Sequence, residues 1–152
     1  MDPPGWQDYS RRHRKQKHWR MAMVRTKESR IKVKLSPMGF FRELPHGDPT
    51  GPSLHEAMRD APGPHEREIV EYLSRGVVFI MSPGPVQDVI DNSGPIGTAS
   101  VCTDGVWAWS EDLPHYVERY HVVLPKEFIE HAARNNWQVP GIPNDQLRRL
   151  SL

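Results

Sequence analysis

The chain predicts an α+β fold: a small, mostly antiparallel sheet with helices packed on one face, in a single domain. Three observations carry this. Ser100-Val-Cys-Thr-Asp-Gly-Val-Trp-Ala-Trp-Ser110 reads as strand, turn, strand, and Asp104-Gly105 suits the positive backbone dihedrals of a two-residue hairpin turn. Immediately afterwards the apolar period lengthens. Leu113, Tyr116, Val117 and Tyr120 fall at the i, i+3, i+4, i+7 spacing of an amphipathic helix. Finally, 152 residues suffice for one core, while 15 prolines and 11 glycines imply short elements and many loops.

The other elements follow in order. Arg30-Ile-Lys-Val-Lys-Leu35 alternates apolar and basic residues, the pattern of a half-exposed strand whose lysines discourage edge pairing. Phe40-Phe41 is expected to anchor the core. Ser53-Leu-His-Glu56 is a capping-box pattern, so a short helix to about Asp60 should follow. A second helix is expected from Pro64 to Gly76, burying Ile69, Val70 and Leu73. Val77-Val-Phe-Ile-Met81 is continuously apolar and reads as a fully covered central strand. Val86, Val89 and Ile90 suggest one or two helical turns. The hairpin spans Thr98 to Thr103 and Val106 to Trp109, and Ser110 or Asp112 should cap the helix after it. A last helix opens at Leu124-Pro125, turns Phe128, Ile129 and Ala132 inward, and stops at Asn135-Asn136. The tail from Val139 is extended, with a further helical turn within Asp145 to Leu152.

Charge divides the chain. Residues 1–34 carry eleven Lys/Arg against three Asp/Glu, a balance of +8, and residues 35–152 carry nine against sixteen, a balance of −7. The stretch Arg11-Arg-His-Arg-Lys-Gln-Lys-His-Trp-Arg20 lacks apolar periodicity, so residues 1–20 are expected to form a disordered basic arm and 21–152 the domain. Arg11, Arg12, Arg14, Lys15, Lys17 and Arg20 would then contact nucleic-acid phosphates, with Trp19 stacking on a base. Equally, the arm solubilises, or folds back on the acidic body, or precedes a natural start at Met21 or Met23. One cysteine, Cys102, excludes an internal disulfide and agrees with a cytoplasmic setting. No apolar run reaches membrane-spanning length.

Chemical signatures are sparse. Cys102 would need a base such as His121 and an orienting group such as Asp104, but a lone strand cysteine is ordinarily a small buried hydrophobe. His115, His121 and His131 lack metal-ligand spacing, and His46 and Asp48 with His55 form only a conceivable loop cluster, so no metal is expected. The glycines form no phosphate-binding pattern, and no cofactor is expected. Glu111 and Asp112 are explained by a helix N-terminus or by partner binding. Trp107 and Trp109 share one side of their strand. Either they pack beneath the last two helices against Tyr116, Tyr120 and Phe128, or they form a recognition surface.

The run Thr103-Asp-Gly-Val-Trp-Ala-Trp109, then Asp112-Leu113, Tyr116 to Tyr120 and Leu124-Pro-Lys-Glu-Phe128, resembles the C-terminal half of small uncharacterised actinobacterial proteins. The resemblance covers about residues 76–137 and implies no activity. A looser likeness, of size and acidity, is to immunity-type proteins that neutralise a toxin.

The expectation is therefore a non-enzymatic interaction domain with an acidic body and a protein partner, binding through Trp107, Trp109, Glu111 and Asp112. The alternative is a ligand-binding domain or enzyme with a pocket near Cys102, Asp104, His115 and His121. Nucleic-acid tethering through the arm is compatible with either. If the arm tethers nucleic acid, removing residues 1–20 should weaken binding to a short duplex and flatten its salt dependence. Equal, weak binding by both proteins would end that idea.

Overall fold

The structure is a computed structural model describing residues 31–152. The fold that follows is that of the unit Lys34–Leu152. The candidate phosphate contacts Arg11 to Arg20 lie outside the described residues.

Along the chain, β1 (Val33–Lys34) lies at the unit boundary, followed by β2 (Ser36–Pro37), α1 (Leu54–Ala57), α2 (Glu66–Ser74) and β3 (Val77–Ile80). Then come β4 (Pro85–Val86), β5 (Gly97–Thr98), β6 (Val101–Thr103) and β7 (Trp107–Ser110). The chain closes with α3 (Leu113–Tyr120), α4 (Lys126–Arg134), α5 (Asn144–Leu147) and β8 (Leu150–Ser151). The main sheet has the order β2-β7-β6-β3. Its β7–β6 and β6–β3 pairs are antiparallel and its β2–β7 pair is parallel, so it is a mixed sheet of mainly antiparallel strands. The α+β class holds.

The hairpin forms, though not through the expected turn. Thr103 pairs with Ala108, so four residues, Asp104 to Trp107, make the connection. Only Gly105 adopts positive φ there, at 95°. The Asp104 side chain supplies the missing geometry: its Oδ1 accepts from the Val106 N–H at 2.9 Å and the Trp107 N–H at 2.7 Å. A side chain that bonds the backbone two and three residues on replaces the tight turn.

One face of the sheet carries the main core. Trp109 is fully buried, its ring against Tyr72 and Phe128 at 6.2 and 6.0 Å, and its indole N–H donates to the Leu73 carbonyl at 3.1 Å. Trp107 is half-buried and meets Phe128 edge-on at 5.8 Å. The tryptophans therefore pack against Phe128 of α4, as one reading expected, but their other aromatic neighbour is Tyr72 of α2 and not the expected Tyr116 and Tyr120 of α3. Tyr72 is the contributor that the helix pattern missed; Val70, expected inside, is only partly buried. The opposite face has a smaller cluster of Leu35, Val101, Ala108 and Leu150, helped by Phe40, Phe79 and Leu147. Within the body, the Leu35 N–H donates to the Ser151 carbonyl at 2.8 Å.

Two elements differ from expectation. Val77 to Met81 is not a central strand: β3 is the outermost strand, and Val78, Ile80 and Met81 are 42%, 43% and 78% exposed. An unbroken apolar run signals two covered faces, whereas here alternate residues remain open. Val86 to Ile90 is not helical. Val86 pairs with Gly97 in a small antiparallel hairpin, and the Asp88 carboxylate caps the following turn by accepting the Ile90 N–H at 2.7 Å.

The capping box is half right. Ser53 is the N-cap of α1 and accepts from the Glu56 N–H at 3.4 Å. The reciprocal carboxylate is Glu43, which accepts from the Ser53 hydroxyl at 2.6 Å and the Leu54 N–H at 2.8 Å. Burial alone would raise the Glu43 pKa, but these hydrogen bonds prevail and hold it at about 2.

At the base of β3 the chain passes close to the core: a Cβ on Gly76 would lie 2.5 Å from Trp109 Cζ2 and 2.8 Å from Cys102 Cβ. Gly76→Ala should therefore destabilise by about 1–3 kcal/mol, as overpacking does, lowering the midpoint of thermal unfolding. An unchanged midpoint would refute this close packing.

Candidate interaction surface

The titratable side chains expected to form a reaction centre are kept apart by separate partners. Asp104, whose side chain is fully buried, takes the Tyr72 hydroxyl at 2.7 Å and His131 Nε2 at 3.0 Å on its Oδ2, besides the two backbone N–H groups on Oδ1. His115 Nε2 pairs with Asp88 at 2.7 Å. His121 Nδ1 pairs with Glu66 at 2.7 Å, fastening the end of α3 to the start of α2. Cys102 is buried, and desolvation, with the Glu111 carboxylate adding to it, pushes its thiol up to about 11. A thiol at that value is protonated at neutral pH and a poor nucleophile. Cys102 and His115 do line one cleft; Asp104 and His121 do not.

Asp88 shows how fully such a carboxylate is used. It also accepts the Tyr120 hydroxyl at 2.8 Å, and the neighbouring Val89 N–H donates to the Tyr116 hydroxyl at 3.1 Å. Tyr116 stacks on Tyr120 at 6.1 Å, so α3 is clasped to the β4–β5 hairpin by one polar cluster. Burial alone would raise the Asp88 pKa, but hydrogen bonds from His115, the Ile90 N–H, Tyr120 and the Asp91 N–H outweigh it and lower the value.

Glu111 and Asp112 are separated by one residue's change of direction. Glu111 is exposed and accepts from Thr98 through its N–H, at 3.2 Å, and through its hydroxyl. Asp112 is 1% exposed and is no surface charge. It occupies the N-cap position of α3 without making a side-chain cap; Ser110 is buried and Asp112 faces His46 instead. His55 is exposed on α1, and no group of three metal-ligating side chains occurs among the described residues.

What the fold does assemble is a cleft of about 440 Å³ beside the outer strand. Ser74 and Gly76 from the end of α2, Val78 from β3, and Glu111 and Glu118 from the α3 side form its walls. Among the described residues no strand pairs with the outer side of β3. The result is an open strand edge with exposed apolar side chains next to two exposed carboxylates, Glu111 and Glu118. Sequence reasoning singled out Glu111 but missed Glu118 and misplaced β3. Glu118 is the outward position of an amphipathic helix and so reads as ordinary solvation; only the strand order reveals its neighbour. No known protein family, curated protein or solved structure matches the chain. Among the described residues no helix is long and apolar enough to cross a membrane.

Because its folded-state pKa is lowered, Asp88 contributes stability that is complete above its ordinary value of 3.8 and lost as pH falls through the folded-state value. Asp88→Asn should flatten this acid limb of the stability profile while lowering stability near pH 7. An acid limb of unchanged steepness, measured by urea unfolding from pH 7 down to about pH 2, would contradict that assignment.

Proposed function

We propose that this domain is a non-enzymatic, cytoplasmic interaction protein whose acidic surface receives a basic partner along the outer edge of β3. The observation that carries the reading is the open edge itself, with Val78, Ile80 and Met81 exposed and Glu111 and Glu118 lining one cleft with Val78. A free strand edge offers backbone N–H and C=O groups to an incoming extended segment. Alternate side chains of that segment would meet the apolar and the acidic neighbours, giving selectivity for a basic–apolar alternation. The four groups nominated for catalysis fit structural work better, since three are committed to carboxylate or tyrosine partners and the fourth is a buried thiol. An immunity-type protein that covers a basic toxin surface is one form of this reading, in keeping with the looser likeness above.

The test uses a synthetic peptide alternating valine and lysine, with a valine–glutamate peptide as control. The basic peptide should bind and the acidic one should not. Glu111→Gln with Glu118→Gln should slow association of the basic peptide by about tenfold and reduce its salt dependence, leaving dissociation nearly unchanged. Ile80→Lys should weaken binding by repelling the peptide at the edge. Equal association rates for wild type and the double variant would sink the proposal.

A further inference from the structure

We propose that the partner received along β3 is a second copy of this chain, presenting its residues 31–34 as the incoming strand. This deepens the reading above and rests on it, since the same open edge is the acceptor. The edge suits a segment that alternates basic and apolar residues, and the chain carries one in Ile31-Lys-Val-Lys34. All four residues are exposed, Ile31 at 64% and Val33 at 47%. Isoleucine and valine favour extended backbone, and successive side chains of a strand alternate. Such a segment therefore turns its two apolar residues to one face and its two lysines to the other.

The β3 edge is divided in the same way. Val78 stands opposite Cys102 and Ile80 opposite Val101 in the β3–β6 pairing, with the register shifting between them. Directly opposed residues share a face, while Val101 and Cys102, as neighbours in one strand, point to opposite faces. The shift thus turns Val78 toward the cleft that also holds Glu111 and Glu118, and Ile80 toward the other face. Laid along this edge, Lys32 and Lys34 meet the two carboxylates while Ile31 and Val33 cover Ile80. A slip of one residue would set the lysines against Ile80 and leave the carboxylates unanswered, so one register is selected.

A single molecule cannot make this match for itself. Lys34 runs through one residue, Leu35, into β2, and β2 and β3 are the two outer strands of the four-stranded sheet. They stand three strand spacings apart, about 14 Å. From Lys34 back to Ile31 the chain covers about 10 Å at full extension. The segment is therefore received in trans. Charge agrees, because the balance of +8 over residues 1–34 faces −7 over residues 35–152 in every copy. A donor segment and an acceptor edge at different places on one molecule make a heterologous contact, which closes into a ring or extends as an open chain.

Sedimentation velocity of the full-length protein tests this, at concentrations up to about 1 mM, where weak contacts are populated. The mean mass should rise with concentration, and association should weaken about tenfold or more between about 0.05 and about 0.5 M salt. Lys32→Glu with Lys34→Glu disables the donor, and Glu111→Gln with Glu118→Gln disables the acceptor. Each double variant alone should associate about tenfold or more weakly than wild type. Mixed, they should form a 1:1 complex at wild-type affinity and nothing larger, because one working donor and one working acceptor remain. The donor variant should still bind the valine–lysine peptide, which shows it folded with its edge intact. Lys126→Glu with Arg134→Glu makes an equal change of charge at exposed positions of α4 and should leave association unchanged. If the peptide binds while the protein stays monomeric throughout, self-pairing is overturned and the docking edge stands. If the peptide does not bind, the edge reading falls and self-pairing with it. Self-pairing is also overturned if association survives in the donor variant, if the α4 control abolishes it, or if the mixed variants form no 1:1 complex.

Discussion

The fold hangs on the cradle around Asp104, made of three hydrogen-bond donors and a nearby imidazole. A carboxylate that is withdrawn from water is costly unless every donor arrives together. Here the donors come from two places, the turn's own backbone at Val106 and Trp107 and the Tyr72 hydroxyl on α2, while the His131 ring of α4 lies 3.0 Å from the same carboxylate. Closing the hairpin, docking α2 and docking α4 are therefore one event rather than three. The tryptophans are placed by the same event, because Trp107 and Trp109 leave the turn already oriented toward Phe128 of α4.

Asp88 repeats the device at the other end of the helical layer, joining α3 to the β4–β5 hairpin through His115 and Tyr120. The paired histidines thus behave as cross-links between elements. His115 and His121 each commit a ring nitrogen to a carboxylate on another element. Asp112 departs from this economy. It stands where a helix cap belongs, makes no cap, and shares a single imidazole.

The sequence made some of this legible and concealed the rest for identifiable reasons. Local signals worked: the strand–turn–strand around Asp104-Gly105, the stripe of α3 and the Ser53 cap depend on neighbours a few residues away, and all three form. Signals that needed a distant partner failed. Glu43 replaces Glu56 in the cap because it approaches from a separate loop, ten residues upstream of Ser53. The pairs His46–Asp112, His121–Glu66 and Tyr72–Asp104 span 66, 55 and 32 positions, so no spacing could reveal them. Composition misled at β3, where an apolar run that suits a sheet centre lies at its edge.

That misplacement is informative in itself. An outer strand is normally blunted with charge or covered, and among the described residues neither happens at Val78 or Ile80. A groove around Phe40 and Val123 leaves further apolar surface open. β6 contributes to both surfaces, Val101 to one and Cys102 to the other. Coupling between them would require β6 to have two arrangements. β6 is held by ladders on both sides, to β3 and to β7, and its end is fixed by Asp104. A strand pinned in this way transmits little. The acidic edge and the groove are therefore each set by the static geometry of the sheet.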